Sequence, residues 1–172
     1  CAYVVGLLHP RVIEEMRLPA RGYRWTPANG GYFVPFEDGS SLQLWDDEAR
    51  AEAELRQFSP RDVQGRHDMH GLMKKIVYAL RPLDDTDTWL HRPPSREEIE
   101  ARLGHDRDAI ALLFEWSMAE LMDRYLVDPR MQMAYMGQGV VGSAASPYDP
   151  GTASLYYHHF QGRLDDGEPG GW

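Results

Sequence analysis

SPRDVQGRHDMHGLMKKIVYAL, residues 59–80, carries the longest helical pattern in the chain. Ser59 offers a capping hydroxyl. Pro60 follows at the first helical position, where its missing N–H would have had no partner in any case. Val63, Met69, Leu72, Met73, Ile76, Val77 and Leu80 then recur at helical spacing and form one apolar face. A helix of this length with one apolar face needs other elements to pack on it, so the fold class depends on what flanks it.

On the C-terminal side, residues 82–94 read as a loop. Ser95-Arg-Glu-Glu98 is a capping box, in which the serine and Glu98 each satisfy an otherwise unbonded N–H. The helix it opens ends near Gly104. Asp106 starts another, with Ile110, Leu113 and Phe114 facing inward. Ser117-Met-Ala-Glu120 is a second capping box and marks a break. Asp128-Pro129 opens a methionine-rich helix to about Met136, and residues 152–160 form the last helix. On the N-terminal side, Asp46 or Asp47 caps a helix over residues 49–58. Before it, residues 23–26, 32–36 and 41–45 read as three short strands, turned at Asn29-Gly30-Gly31 and Asp38-Gly39. Residues 10–16 form a short helix ended by Leu18-Pro19. The expected class is α+β, mostly helical: a short antiparallel β meander followed by five or six helices. Residues 1–45 hold the short helix and meander, and residues 46–172 the helical region.

Composition limits the function classes. Hydrophobic residues make up 42% and charged residues 26% of the 172 residues, as in globular chains. A net charge of −9 argues against a nucleic-acid partner, which needs a Lys/Arg surface. No apolar run approaches the roughly 18 to 20 residues that span a bilayer. One cysteine rules out an internal disulfide and fits a reducing, cytoplasmic compartment.

Few motifs carry chemistry. Gly137-Gln-Gly139-Val-Val-Gly142 spells G-x-G-x-x-G, but a dinucleotide loop needs a strand before it and a helix after it. Here a helical segment precedes and a loop follows, so the reading is a glycine-rich helix end packed closely on a neighbour. His67-Asp-Met-His70 puts two imidazoles on one helix face. No third ligand is evident nearby, so the pair reads as a polar helix face and no metal is assigned. His158 and His159 point about 100° apart on a helix and cannot chelate one ion together. Met118, Met122, Met131, Met133 and Met136 suit either an apolar tunnel or an ordinary core. No G-x-S-x-G, H-E-x-x-H or P-loop is present.

Three blocks, in order, carry a family resemblance. The first is Tyr3-Val-Val-Gly-Leu-Leu-His-Pro10 with Leu18-Pro19 and Arg21-Gly22. The second is Tyr32-Phe-Val-Pro35 with Asp38-Gly39-Ser40. The third is Ser146-Pro147, Pro150-Gly151-Thr152, Tyr157-His158-His159 and Gly170-Gly171-Trp172. Together they resemble the phytoene-dehydrogenase-like NAD(P)/FAD-dependent oxidoreductases, relatives of carotenoid desaturases and amine oxidases.

The resemblance implies the substrate-side portion of a two-domain FAD-linked oxidoreductase fold, with the flavin phosphate loop upstream of the first block. With both ends looking cut, the chain is expected to be an internal fragment. FAD would be the parent's cofactor, an apolar small molecule its substrate, and the FAD-binding domain of its own chain this segment's partner. The parent would be cytoplasmic or peripheral to a membrane. Tyr3, Tyr157, His158, Gly170, Gly171 and Trp172 are the residues expected near flavin or substrate, the glycines by allowing close backbone approach. No catalytic acid or base is assigned. The isolated fragment would expose apolar surface at residues 2–8 and 156–160. The competing class is a non-enzymatic acidic helical module that binds or scaffolds a partner.

Overall fold

The computed structural model describes residue 8 and residues 10–24, 31–45, 47–80 and 92–162. Within them the chain is α+β and mostly helical. A short helix α1 (Pro10–Glu15) and a 3₁₀ turn (Leu18–Arg21) precede a hairpin of β1 (Tyr32–Pro35) and β2 (Ser41–Leu44). Seven further helices follow, rather than five or six: α2 (Glu48–Phe58), α3 (Pro60–Leu80), α4 (Arg96–Arg102), α5 (Arg107–Phe114), α6 (Met118–Tyr125), α7 (Pro129–Met136) and α8 (Ala153–Phe160).

The hairpin is antiparallel, with Tyr32 opposite Leu44 and Pro35 opposite Ser41. Its turn closes through Phe36 N to Ser40 O (2.9 Å) and Gly39 N to Phe36 O (3.1 Å). Gly39 sits at φ 82°, in the left-handed region that the Asp-Gly pair favours. Leu42 is the strand residue sealed from solvent, and it joins the core beneath α2. Tyr23 and Arg24 are not in a strand, and residues 25–30 lie outside the described set, so two strands of the expected meander are seen.

Local signals set the helix ends. Asp47 accepts from Arg50 N to open α2, and Asp106 accepts from Asp108 N and Ala109 N to open α5. Both capping boxes form, Ser95 with Glu98 and Ser117 with Glu120. Ser59 serves two helices. Its N–H donates to Leu55 O at the end of α2, and its hydroxyl accepts from Asp62 N in the first turn of α3.

The core gathers around α3. Met69, Met73 and Ile76 are fully buried and share one core cluster with Leu55 of α2, Leu112 of α5 and Leu121 and Met122 of α6. Two glycines permit close approach. A methyl on Gly65 of α3 would lie 1.7 Å from the Tyr125 carbonyl at the end of α6. A methyl on Gly139 would lie 2.4 Å from Met118 Cβ. The Gly137–Gly139 segment is a 3₁₀ turn continuing α7, with turns and bends rather than a helix immediately after it. The glycine-rich stretch is therefore a packed helix end, as its sequence context suggested.

The turn before α8 binds the α5–α6 corner. Gly151 N donates to Glu115 O (3.1 Å), Ala153 N to Trp116 O (3.1 Å) and Ala119 N to Pro147 O (3.0 Å). Thr152 Oγ1 accepts from Met118 N at 2.8 Å. Residues 156–160 follow directly, and Tyr156, Tyr157 and Phe160 are buried in the chain's own core. This corrects the expectation that they would form an exposed apolar patch: the turn anchors α8 face-down on α5 and α6.

Candidate functional site at the junction of α3, α7 and α8

Asp62, Arg66 and His70 fall at successive four-residue steps, so they lie along one side of α3. That side faces inward, among Val63, Met69 and Met73. Ionisable groups in such a setting must find partners, and each finds different ones.

Asp62 is completely buried and accepts two backbone bonds, from Val127 N (2.8 Å) and Asp128 N (2.9 Å). It thereby fixes the connection between α6 and α7. Arg66 pairs with Glu48 at the surface (Nη1 to Oε1, 3.4 Å), and its guanidinium lies near the hydroxyl of buried Tyr135 on α7. Its Nε is buried with no hydrogen-bond partner among the described residues. His70 Nε2 lies 3.1 Å from the Tyr156 hydroxyl of α8, and its ring sits 5.0 Å from that of Phe160. Tyr135 and Tyr156 rings are 5.9 Å apart and complete the cluster.

Burial governs the protonation of this cluster. It pushes His70 well below its ordinary value, helped by the positive charges of Arg66 and Lys74. The imidazole is therefore neutral near pH 7. Burial also pushes the Tyr156 phenol well above its ordinary value, with Tyr135 adding to the shift. Tyr135 is raised by burial too, with Arg66 opposing. The cluster thus holds neutral hydrogen-bonding groups in an apolar wall, with one guanidinium reaching it from the surface. Such a set can orient a polar atom; none of its phenols is poised as a base at neutral pH.

Of the residues expected near flavin or substrate, Tyr157 and His158 are described; Tyr3, Gly170, Gly171 and Trp172 lie outside the described residues. Tyr157 is buried, and burial pushes its phenol up to about 12, with Gln161 opposing. His158 is exposed in the last turn of α8, its ring 5.6 Å from that of His159. His159 is lowered by burial and by His158. The structure brings Tyr157 and His158 together only as helix neighbours with opposite surroundings. Met118, Met122 and Met131 are fully buried core residues, whereas Met133 is exposed.

Arg66 and Tyr135 were not anticipated as partners. The available signal was the four-residue spacing of Asp62, Arg66 and His70 on the side of the helix that also carries Val63, Met69 and Met73. Charges that repeat in phase with an apolar stripe are not on a solvated face.

Two relatives resemble the chain along nearly its whole length. Pyridine nucleotide-disulfide oxidoreductase domain-containing protein 2 of Rattus norvegicus is 25% identical over 194 residues, 99% of this chain and 33% of that protein. The Mus musculus protein of the same name is 26% identical over the same shares. The chain thus spans about a third of the length of the curated relatives it matches. No protein-family model matches it, and no solved structure does. No described helix is long and apolar enough to cross a membrane.

Proposed function

We propose that the chain is the substrate-side segment of an FAD-dependent oxidoreductase of the phytoene-dehydrogenase type. The parent would move a hydride between a flavin and a C–C or C–N bond of a largely apolar substrate. The observation that carries this reading is the similarity along 99% of the chain to one third of proteins whose name contains oxidoreductase. The finer assignment rests on the ordered blocks from Tyr3 to Trp172 described above.

FAD, when bound, supplies the hydride acceptor or donor. The described residues do not fit its pyrophosphate. The G-x-G-x-x-G spelling is a helix end in which Met118 fills the space beside Gly139, so no backbone cradle opens there. Binding of the flavin would fall to the remainder of the parent chain. What the described residues would contribute is a pocket wall. Tyr135, Tyr156 and Phe160 would exclude water, His70 and Arg66 would present polar atoms from behind them, and His158 would face outward from α8.

The test is to express the full reading frame that contains this segment and record its visible spectrum. Absorption bands near about 370 and 450 nm, typical of oxidised flavin, are expected. A colourless, folded product that does not take up added FAD would overturn the reading in favour of a non-enzymatic acidic binding module.

A further inference from the structure

The His67-x-x-His70 pair divides between two environments. His70 turns into the core toward Tyr156. His67 turns outward to α2, where Glu48 and Glu52 stand one helical turn apart and both face it. Its Nε2 is 2.7 Å from Glu52 Oε1, and its Nδ1 is 3.6 Å from Glu48 Oε1. One ligand atom from each of the three residues lies within 4.8 Å of the others.

From this geometry we infer a divalent transition-metal site, of the kind that takes Zn²⁺, formed by Glu48, Glu52 and His67 across the α2–α3 interface. Two carboxylates at i and i+4 repel each other on a helix, and here both are aimed at one imidazole. A cation placed among them relieves that repulsion. Ligands about 2.0 to 2.2 Å from a tetrahedral Zn²⁺ stand about 3.4 Å apart. The mixed imidazole and carboxylate set suits Zn²⁺ better than Ca²⁺ or Mg²⁺, which prefer all-oxygen shells.

The arginines nearby allow it. Arg56 holds Glu52 through Oε2 at 3.3 Å, which leaves Oε1 toward His67. Arg66 approaches Glu48 Oε1 at 3.4 Å, and the nearby Tyr135 hydroxyl offers its guanidinium another polar neighbour when Glu48 turns to an ion. Glu48 is the most exposed of the three, so the fourth coordination position opens to water. This is the partially open geometry of a site that keeps a bound water.

The test is calorimetric titration of the 172-residue chain with Zn²⁺ alone, in a buffer free of chelating groups. One ion per chain at micromolar affinity is expected. Glu52→Gln and His67→Ala should each weaken binding by at least about tenfold. His158→Ala should leave it unchanged. Glu52→Gln keeps the side-chain shape, so it tests the site even where His67→Ala disturbs folding. Co²⁺ added in place of Zn²⁺ should show a visible absorption that Glu52→Gln removes. Zn²⁺ affinity weaker than millimolar, or affinity equal in wild type and Glu52→Gln, would overturn the assignment. The outcome does not depend on flavin content, so it stands apart from the proposed function.

Discussion

Removing the Asp62 carboxylate should unfasten α7 from α3. The group is fully buried, and its two oxygens accept separately from Val127 N and Asp128 N at 2.8 and 2.9 Å. A hydrogen bond to a charged group contributes about 1.5 to 3 kcal/mol, and an orphaned buried N–H costs about 1 to 3 kcal/mol. Asp62→Ala strands two such donors. It also removes a buried charge, whose desolvation had offset part of the gain. The net loss should be about 3 kcal/mol. At about 2 to 4 °C per kcal/mol for a chain of this size, Tm should fall by about 6 to 12 °C. Asp62→Asn keeps one acceptor oxygen but turns an NH₂ toward the second donor, so about 2 kcal/mol is expected. Urea denaturation measures both losses. Amide hydrogen exchange adds locality, because Val127 and Asp128 should lose protection first. A loss under about 1 kcal/mol in Asp62→Ala, with those two amides still protected, would refute the reasoning.

Gly65→Ala would normally gain about 1 kcal/mol of helix propensity. Here its methyl would lie 1.7 Å from the Tyr125 carbonyl, and thermal unfolding should show a net loss of about 2 kcal/mol or more. His70 should make the chain acid-sensitive. Its folded value is depressed, chiefly by burial, so below about pH 6.5 the unfolded chain takes up a proton that the folded chain refuses. Its share of stability is complete above that pH and falls as pH drops toward the folded value, by up to about 1.4 kcal/mol per unit. Urea midpoints at pH 7 and 5 should converge in His70→Gln relative to wild type, and an unchanged pH slope would count against it. Ultraviolet titration should find a phenol ionising only near pH 12 that is missing in Tyr157→Phe, since burial pushes Tyr157 up to about 12. Ser117→Ala should lose about 1 kcal/mol, measured by denaturation, because it removes one half of a capping box.

Most element boundaries were legible because they are written in short-range chemistry. Asp47, Ser95, Asp106, Ser117 and Asp128 each accept from a backbone N–H in the first turn of the helix that follows, as their spacing implied. The site was less legible because its partners are distant in sequence. Tyr135 and Tyr156 reach Arg66 and His70 only once α7 and α8 have packed on α3. The His67 and His70 pair was read as a polar helix face, although His70, like Arg66, lies on the side of α3 that carries Met69 and Met73. The blocks that carried the family resemblance have partly architectural roles. Gly151 takes φ 83° and Thr152 caps the backbone of Met118, so both hold α8 in place.

Ser59 has a consequence for how the chain tolerates change. Because it ends α2 and begins α3, no slack separates the two helices, and their rotational phases are geared together. One inserted residue would turn one helix by about 100° relative to the other and shift it by about 1.5 Å. Leu55 would swing away from the core, and Glu48 and Glu52 would swing away from His67. Insertions and deletions at this corner should therefore be rejected, whereas substitutions along the outer face of α2 are absorbed. Length, more than residue identity, is what this corner constrains.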